Sequence, residues 1–391
     1  MELKEKLQQV LDAAVANHEV AGVNLLVRKG GTELLYAQAG YADIDAGREY
    51  NRDTIFRMYS MSKPVTAVAA MILMERGLLD LEQPVGAFIP VFFEQQVWEG
   101  DKKVPAKRWM TVRDLLAMTS GLPYGGDPSC AASMEAQAVF EELDSRLYGE
   151  NPMSTMELAE RLGQCGLAFH PGDDWRYGTS ADILGAVIEK VSGMRYSEFL
   201  QKEIFEPLGM TDTGFYVPEE KRHRFAEVYE CTSEGLKRFE TDNLGIRYLQ
   251  KGAPAFESGG AGLVSTIDDY SKFAQMLLNG GSLGEKQILK PQTVAFMTSA
   301  KMTPWQQESL WRGWAGMYGY AYGNLMRIME EPGLAHFQTW KGEYGWDGWL
   351  GAYFINSPSN EVTVLMSVQR KDAGTMELTR RIRNVLAANL E

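Results

Sequence analysis

Residues 56 to 77 read FRMYSMSKPVTAVAAMILMERG, and the rest of the chain can be arranged around this stretch. After the proline the segment is apolar on nearly every face, which indicates a helix that is buried on all sides. Ser60, Ser62 and Lys63 stand at its start, and Pro64 fits the first turn because its missing N–H would have no helical partner there. A lysine that begins a buried helix needs a partner or a chemical purpose. The stretch therefore predicts a buried helix beginning directly after Ser60, with functional side chains at its N-terminus.

Ser60 and Lys63 have the S-x-x-K spacing, which places both side chains on one face of a helix, one turn apart. The partial positive charge of a helix N-terminus stabilises a developing oxyanion. A lysine that is partly withdrawn from water has a lowered pKa and can accept the serine proton. These four residues alone also fit a simpler interpretation, in which a serine caps the helix and the lysine is a solvated charge.

Strands are predicted near both ends of the chain. The segment GVNLLVRKGGTELLYAQAGYAD (22 to 43) is typical of two strands joined at Gly30 and Gly31. The segment GWLGAYFINSPSNEVTVLMSVQR (348 to 370) indicates two more strands joined at NSPSN. A helix precedes the first pair, and a closing helix over roughly 376 to 390 follows the second.

The middle of the chain has helical periodicity instead. Its helical segments are SKPVTAVAAMILMERGLL, TVRDLLAMTSGL, SMEAQAVFEELDSRLYG, STMELAERLGQC and SADILGAVIEKVSG. A sheet divided between the two ends of the chain, around a helical middle, predicts an α/β domain with a large helical insertion. Such an arrangement creates a cleft between the two parts, and clefts of this kind are preferred ligand sites.

Composition excludes several classes of function. The net charge is −13 and the isoelectric point is about 5.0, so nucleic acid and anionic membranes are not expected as partners. The charged, amphipathic start does not resemble a signal peptide, and no apolar run is long enough to span a bilayer. The three cysteines have no metal-ligand spacing and are expected to be buried free thiols in a reducing compartment. We therefore expect a cytoplasmic protein.

Two further segments carry candidate chemistry. Tyr177 precedes a helix that starts at Thr179 or Ser180, and a tyrosine held near a lysine can act as a general base, although packing is the commoner role. In EYGWDGWLGAYF (343 to 354), glycines interrupt a predicted strand, which permits a ligand or another backbone to approach closely. An edge strand of this kind can offer its N–H groups to a substrate and to an oxyanion.

With their flanking segments, the three candidates closely resemble the class C β-lactamase superfamily of penicillin-recognising serine hydrolases, and within it the family VIII carboxylesterases. The resemblance covers nearly the whole chain. Besides the opening stretch, it includes MTVRDLLAMTSGLPYG, FHPGDDWRYGTSADILGAVIEKVSG, IFEPLGMTDTGF, ESGGAGLVSTIDDYSKFAQMLLNGG and GWDGWLGAYFINSP.

The resemblance implies a role for each candidate. Ser60 corresponds to the acylated nucleophile, Lys63 to its proton-transfer partner and Tyr177 to the base that activates serine or water. The backbone N–H groups of Ser60 and Trp349 correspond to the oxyanion hole. The implied fold is α+β of the β-lactamase/transpeptidase type, an antiparallel sheet flanked by N- and C-terminal helices with a helical domain inserted.

The expected division has residues 1–62 and 218–391 in the sheet domain and 63–217 in the helical domain, with the active site in the cleft between them. No metal or other cofactor is implied.

The chain departs from the family at its substrate-binding positions. Thr179 stands where the β-lactamases have an amide-binding asparagine, and Trp346-Asp347-Gly348 replaces Lys-Thr-Gly. The missing lysine would have paired with a substrate carboxylate. Trp346 would offer an apolar wall, and Asp347 would repel an anion if it faced the cleft. Thr179, Trp346, Asp347 and Gly348 are thus the expected substrate contacts, and they favour a neutral ester.

The resulting hypothesis is a serine hydrolase that cleaves small carboxylic esters. The alternatives are a β-lactamase or D-alanyl-D-alanine carboxypeptidase, a transacylase, and a catalytically silent binding protein or scaffold on the same fold. The expected ligand is a small-molecule ester or amide, and the oligomeric state is open. Aromatic residues of loops 123 to 134 and 305 to 345 are expected to shape the cleft.

Overall fold

A computed structural model describes residues 2–299 and 301–390 of the chain. In this part of the chain the α-helices are α1 Leu3–Ala16, α2 Lys63–Glu75, α3 Val112–Ala117, α4 Ala131–Arg146, α5 Thr155–Gly163, α6 Ser180–Ser192, α7 Tyr196–Leu200, α8 Glu206–Leu208, α9 Ile267–Leu278, α10 Pro291–Met297, α11 Pro304–Gly313 and α12 Glu377–Ala387.

The strands of the same residues are β1 Gly22–Lys29, β2 Thr32–Asp43, β3 Arg48–Glu49, β4 Phe56–Arg57, β5 Gln96–Glu99, β6 Lys102–Pro105, β7 Tyr229–Thr232, β8 Gly235–Arg238, β9 Val264–Ser265, β10 Ser282–Leu283, β11 Lys286–Gln287, β12 Tyr320–Gly323, β13 Met326–Met329, β14 Tyr344–Asp347, β15 Tyr353–Ser357 and β16 Val362–Val368.

An eight-stranded antiparallel sheet in the order β12-β13-β14-β15-β16-β1-β2-β3 forms the centre of the fold. The predicted strands near the two ends of the chain are adjacent here, because β1 pairs with β2 on one side and with β16 on the other. The β1–β2 turn uses Gly30 and Gly31 at φ of 55° and 76°, in the left-handed region that glycine adopts at little cost. The hairpin predicted at NSPSN joins β15 to β16.

Helices cover both faces of this sheet. The first and last helices, α1 and α12, pack on one face through Leu7, Leu11, Leu378, Ile382 and Leu386. The other face carries α9, whose Ala274 carbonyl accepts a hydrogen bond from the Asn356 amide at 2.8 Å. The α+β architecture implied by the resemblance, with a sheet between helices, is confirmed.

The helical middle of the chain packs directly against the sheet. Helix α2 is buried along nearly its whole length, as predicted, and it belongs to one apolar cluster with Leu26, Phe354 and Leu365 of the sheet. Helices α2 to α8 all lie between residues 63 and 217, while every strand of the eight-stranded sheet lies outside that range. The exact domain boundaries stay a prediction, and their terminal residues 1 and 391 lie outside the described residues.

Two expectations about the surface have different outcomes. Cys130 and Cys165 are partly buried, but Cys231 is exposed, so the prediction of buried thiols is wrong for Cys231. Within residues 2–299 and 301–390, no helix combines the length and the apolar character needed to cross a bilayer.

Candidate active site

Ser60 lies at the second position of a tight 3₁₀ turn, Tyr59–Ser62, that leads directly into α2. Tyr59, which precedes it, has φ of 45°, a conformation that costs free energy in a non-glycine residue and is held by the surrounding structure. The Ser62 hydroxyl accepts a hydrogen bond from the Leu263 N–H at 3.1 Å and does not cap α2. The turn is thereby fixed, and Ser60 is left partly exposed to the cleft.

Lys63 is buried, and its amine contacts Ser60 directly. Lys63 Nζ lies 3.1 Å from Ser60 Oγ, 3.2 Å from Tyr124 Oη and 2.9 Å from the Gly260 carbonyl oxygen. Burial lowers the pKa of Lys63 to about 7, although the negative charges of Asp182 and Asp347 act to raise it. At neutral pH a large share of this amine is therefore unprotonated and able to accept the serine proton.

Tyr177 lies just before α6, and its ring centre is 4.6 Å from Lys63 Nζ. Its hydroxyl accepts a hydrogen bond from Trp346 Nε1 at 3.1 Å, and the nearby Ser60 hydroxyl also lowers its pKa. Burial raises the pKa of Tyr177 far above its ordinary value, an effect that these two contacts only partly offset. The tyrosine is thus a neutral phenol in the resting site, and Lys63 is better suited than Tyr177 to take the serine proton.

The end of β14 approaches the serine turn at Gly348. A Cβ added to Gly348 would lie 2.2 Å from the Met58 carbonyl oxygen, so only glycine permits this contact. The close approach predicted for this strand is therefore to another backbone segment. Neither the Ser60 N–H nor the Trp349 N–H donates a hydrogen bond to any residue within 2–299 and 301–390. Both donors remain available to an oxyanion, and their role in an oxyanion hole stays a prediction.

Trp346 and Thr179 do not line the cleft, which corrects their prediction as substrate contacts. Trp346 has 0% exposure, and its ring packs against Tyr177, Trp314 and Tyr322. Thr179 also has 0% exposure, at the start of α6, where its buried hydroxyl has no hydrogen-bond partner among the described residues. Trp346 acts on the site indirectly, by donating to Tyr177.

Asp347 faces away from the cleft, so its prediction as a substrate contact is also corrected, and the condition under which it would repel an anion is not met. Successive residues of a strand point to opposite faces, and Trp346 occupies the face of the active site. On the other face, Asp347 Oδ2 accepts a hydrogen bond from buried Arg327 at 2.9 Å and another from Thr375. This buried ion pair neutralises the Asp347 charge and anchors the strand that ends beside Gly348.

Replacing Asp347 with asparagine is expected to lower the free energy of unfolding by about 3 kcal/mol, because Arg327 would keep a buried charge without a carboxylate partner. The KM for a neutral ester should stay within about twofold, measured where the variant is folded. The control Asp173→Asn breaks the exposed Lys107–Asp173 pair and should cost less than about 1 kcal/mol in urea unfolding. A large rise in KM without loss of stability would instead place Asp347 in contact with the substrate.

Two polar residues of the site were not predicted from the sequence. Tyr124, in the loop that was expected to shape the cleft, receives the second hydrogen bond of Lys63. Asp182, in the first turn of α6, accepts hydrogen bonds from Ser258 Oγ at 2.5 Å and from the Gly260 N–H at 3.0 Å. The only signal for Asp182 was an acidic residue in an otherwise apolar helix segment, ADILGAV.

A cavity of about 780 Å³ opens beside Tyr177. Its lining includes the aromatic residues Trp98, Phe169, Trp175, Tyr177 and Trp314. The one cation among its described lining residues is Arg176, which is paired with Asp127 at 2.6 Å. Loop residues supply part of the wall, as predicted, but of the aromatics expected from residues 305 to 345 only Trp314 lines this cavity.

Comparison with known proteins agrees with this geometry. A protein-family model described as Beta-lactamase matches residues 7–389. An uncharacterised protein of Mycobacterium tuberculosis is 31% identical over 371 residues, which cover 93% of this chain and 88% of that protein. Esterase EstB of Burkholderia gladioli is 28% identical, covering 85% of this chain and 82% of its own length.

A solved structure described as EstCE1, a hydrolase with promiscuous acyltransferase activity, superposes with a TM-score of 0.82. It is 25% identical, and the match covers 98% of each chain.

Proposed function

Since the chain belongs to the beta-lactamase family and is a serine hydrolase of that fold, we propose that it cleaves small carboxylic esters through an acyl-enzyme on Ser60. The observation that carries the proposal is the contact of a buried lysine amine, with its pKa lowered to about 7, with a partly exposed serine hydroxyl at 3.1 Å. The similarity to an esterase supports the choice of ester substrates.

The first half-reaction transfers the acyl group to serine. Neutral Lys63 accepts the Ser60 proton while Ser60 Oγ attacks the ester carbonyl carbon. The carbonyl oxygen gains negative charge and receives hydrogen bonds from the N–H groups of Ser60 and Trp349. As the intermediate collapses, the leaving alkoxide takes the phenol proton of Tyr177, whose ring centre lies 4.6 Å from Lys63 Nζ. Lys63 then passes its proton to Tyr177. The acyl group is now held as an ester on Ser60.

The second half-reaction releases the acid. Neutral Lys63 takes a proton from water, whose oxygen attacks the acyl carbon within the same oxyanion hole. The Ser60 oxygen leaves and takes back the proton that Lys63 received from water, which restores the resting site. Tyr177 is neutral at the start and at the end of the cycle, in accordance with the burial that raises its pKa.

The charges around the cleft favour neutral esters over β-lactams and peptide C-termini. Those substrates carry a carboxylate, which needs an available cation. Trp346 takes the place of a cationic side chain and is buried, and Arg176 is already paired with Asp127. A β-lactamase or carboxypeptidase activity is therefore expected to be weak.

Acyl transfer to an alcohol is a second candidate, because the similar EstCE1 is described as a hydrolase with acyltransferase activity. The acyl-enzyme would be the same, and an alcohol would replace water in the second half-reaction. The aromatic residues in the lining of the 780 Å³ cavity suit an organic acceptor.

The proposed function predicts that a fluorophosphonate probe labels Ser60, as mapped by peptide mass spectrometry, and that labelling abolishes p-nitrophenyl butyrate hydrolysis. Ser60→Ala should lose both labelling and hydrolysis, whereas Ser282→Ala, at a partly exposed serine of β10, should keep both. Turnover of nitrocefin faster than that of the ester would favour the β-lactamase alternative, and ester product from added alcohol would show transfer. An unlabelled protein without ester turnover would support the silent scaffold.

A further inference from the structure

Asp182 is a buried carboxylate close to the catalytic lysine. It lies at the third position of α6 with 4% exposure, where the partial positive charge of the helix N-terminus favours an anion. Its Oδ1 atom accepts two hydrogen bonds, from Ser258 Oγ at 2.5 Å and from the Gly260 N–H at 3.0 Å. Because both partners donate, they favour the ionised carboxylate, although burial raises the pKa of Asp182.

The turn that Asp182 holds is the same turn that contacts α2. The Gly260 carbonyl accepts a hydrogen bond from Lys63 Nζ at 2.9 Å, and the Gly259 carbonyl accepts one from Thr66 Oγ1 at 2.6 Å. A Cβ at Gly260 would lie 2.9 Å from Asp182 Oδ2, which shows how closely the turn lies on the carboxylate. Asp182 is thus linked to Lys63 through a single residue.

We propose that Asp182 is the positioning residue and counter-charge of Lys63: it holds the Gly260 carbonyl against the amine and stabilises the ammonium formed when Lys63 takes the Ser60 proton. This inference rests on the proposed function of Ser60 and Lys63. Asp182 does not touch the reacting atoms and acts through Lys63.

Among the groups that face Lys63, only Asp182 is available as its counter-charge, because the others are neutral or already paired. The phenols of Tyr124 and Tyr177 are neutral, because burial raises the pKa of both. Two carboxylates raise the pKa of Lys63 and so partly offset the effect of its burial. Asp182 has the larger effect and Asp347 the smaller. Asp347 is already paired with Arg327, whereas no cation of residues 2–299 and 301–390 forms an ion pair with Asp182. Loss of the Asp182 charge would therefore lower the pKa of Lys63 further, because one of the two charges that raise this pKa would be gone.

The test is the pH dependence of kcat/KM for p-nitrophenyl butyrate in Asp182→Asn and in the unchanged enzyme. A charge at this range in a protein interior changes a pKa by about one unit or more, so the acid limb should move to lower pH by about one unit. The maximal kcat should fall about tenfold or more, because the ammonium formed in the reaction would lose its counter-charge. KM should change much less than kcat.

Two variants separate this role from a structural one. Asp269→Asn alters another buried carboxylate at the third position of a helix, α9, without contact to Lys63. It should lower the melting temperature and leave the acid limb in place. Ser258→Ala removes a hydrogen bond that favours the ionised form of Asp182, so the acid limb should move to lower pH, but by less than in Asp182→Asn.

The outcomes also separate this inference from the proposed function. If the acid limb does not move in folded Asp182→Asn while Ser60→Ala still abolishes hydrolysis, the proposed role of Asp182 is wrong and the proposed function stands. If Asp182→Asn does not fold, an acid limb that stays in place in folded Ser258→Ala would equally contradict the proposal. Hydrolysis that survives Ser60→Ala would instead overturn the proposed function.

Discussion

Replacing Lys63 with arginine is expected to lower kcat/KM for p-nitrophenyl butyrate by about a thousandfold or more. Arginine keeps a positive charge and can still donate to Ser60, but it does not lose a proton at accessible pH and cannot act as a base. General-base catalysis contributes about 10²- to 10⁴-fold, and the buried Lys63 site leaves little room for water to replace the amine. The measurement is steady-state hydrolysis with the folded state checked by thermal unfolding.

The pH profile of the unchanged enzyme provides an independent measurement of the ionisation of Lys63. Since the pKa of Lys63 is lowered to about 7 and the neutral amine is the active form, kcat/KM should rise as the pH increases through about 7 and fall below it. Lys272→Arg, at a half-exposed lysine paired with Asp269, is the matched control and should retain full activity. Lys63→Arg with activity within tenfold of the original would rule out Lys63 as the base.

Replacing Gly348 with alanine is expected to lower kcat by about 10²- to 10³-fold. The added methyl group would lie 2.2 Å from the Met58 carbonyl oxygen, far inside contact distance, so the end of β14 must move away from the serine turn. Trp349, the next residue, would carry its N–H out of reach of the oxyanion, and loss of one such donor typically costs this factor. KM should change less than kcat, because the donor acts mainly on the transition state.

A matched glycine controls for the substitution itself. The Cβ of Gly333→Ala would meet no atom within 4 Å, and this glycine has no positive φ, so activity should be unchanged. Fluorophosphonate labelling of Ser60 should also slow in Gly348→Ala, since that reaction uses the same oxyanion hole. If Gly348→Ala keeps at least a third of the original kcat, then the Trp349 N–H does not stabilise the transition state.

Local patterns were sufficient to predict much of the fold. The buried helix α2, the turn at Gly30 and Gly31 and the hairpin at NSPSN each follow from the order of residues within one short segment. The S-x-x-K spacing likewise brought Ser60 and Lys63 together, because residues three apart share a helical face. The start of α2 differs slightly: a 3₁₀ turn precedes it and presents Ser60 to the cleft.

The substrate-facing surface could not be predicted in the same way. The order Trp346, Asp347, Gly348 does not reveal which face of the strand is turned to the cleft, and the structure buries Trp346 and pairs Asp347 with Arg327 on the far side. A shift of one residue in register would exchange the two faces. The sequence also could not predict whether Tyr177 is a base, because the pKa of a tyrosine depends on its burial as well as on its neighbours, and burial here raises it.

The sequence by itself determined the fold class, the family resemblance and the nucleophile–lysine pair, because these depend on short-range periodicity and on the spacing of residues in one helix. Only the tertiary structure decided the chemical state of that pair. Lys63 acquires its lowered pKa from burial, and its contacts with Tyr124 and Gly260 come from segments far apart in the chain. Desolvation and long-range hydrogen bonds exist only when the chain is packed, and for that reason the role of Asp182 had no clear signal in the order of residues.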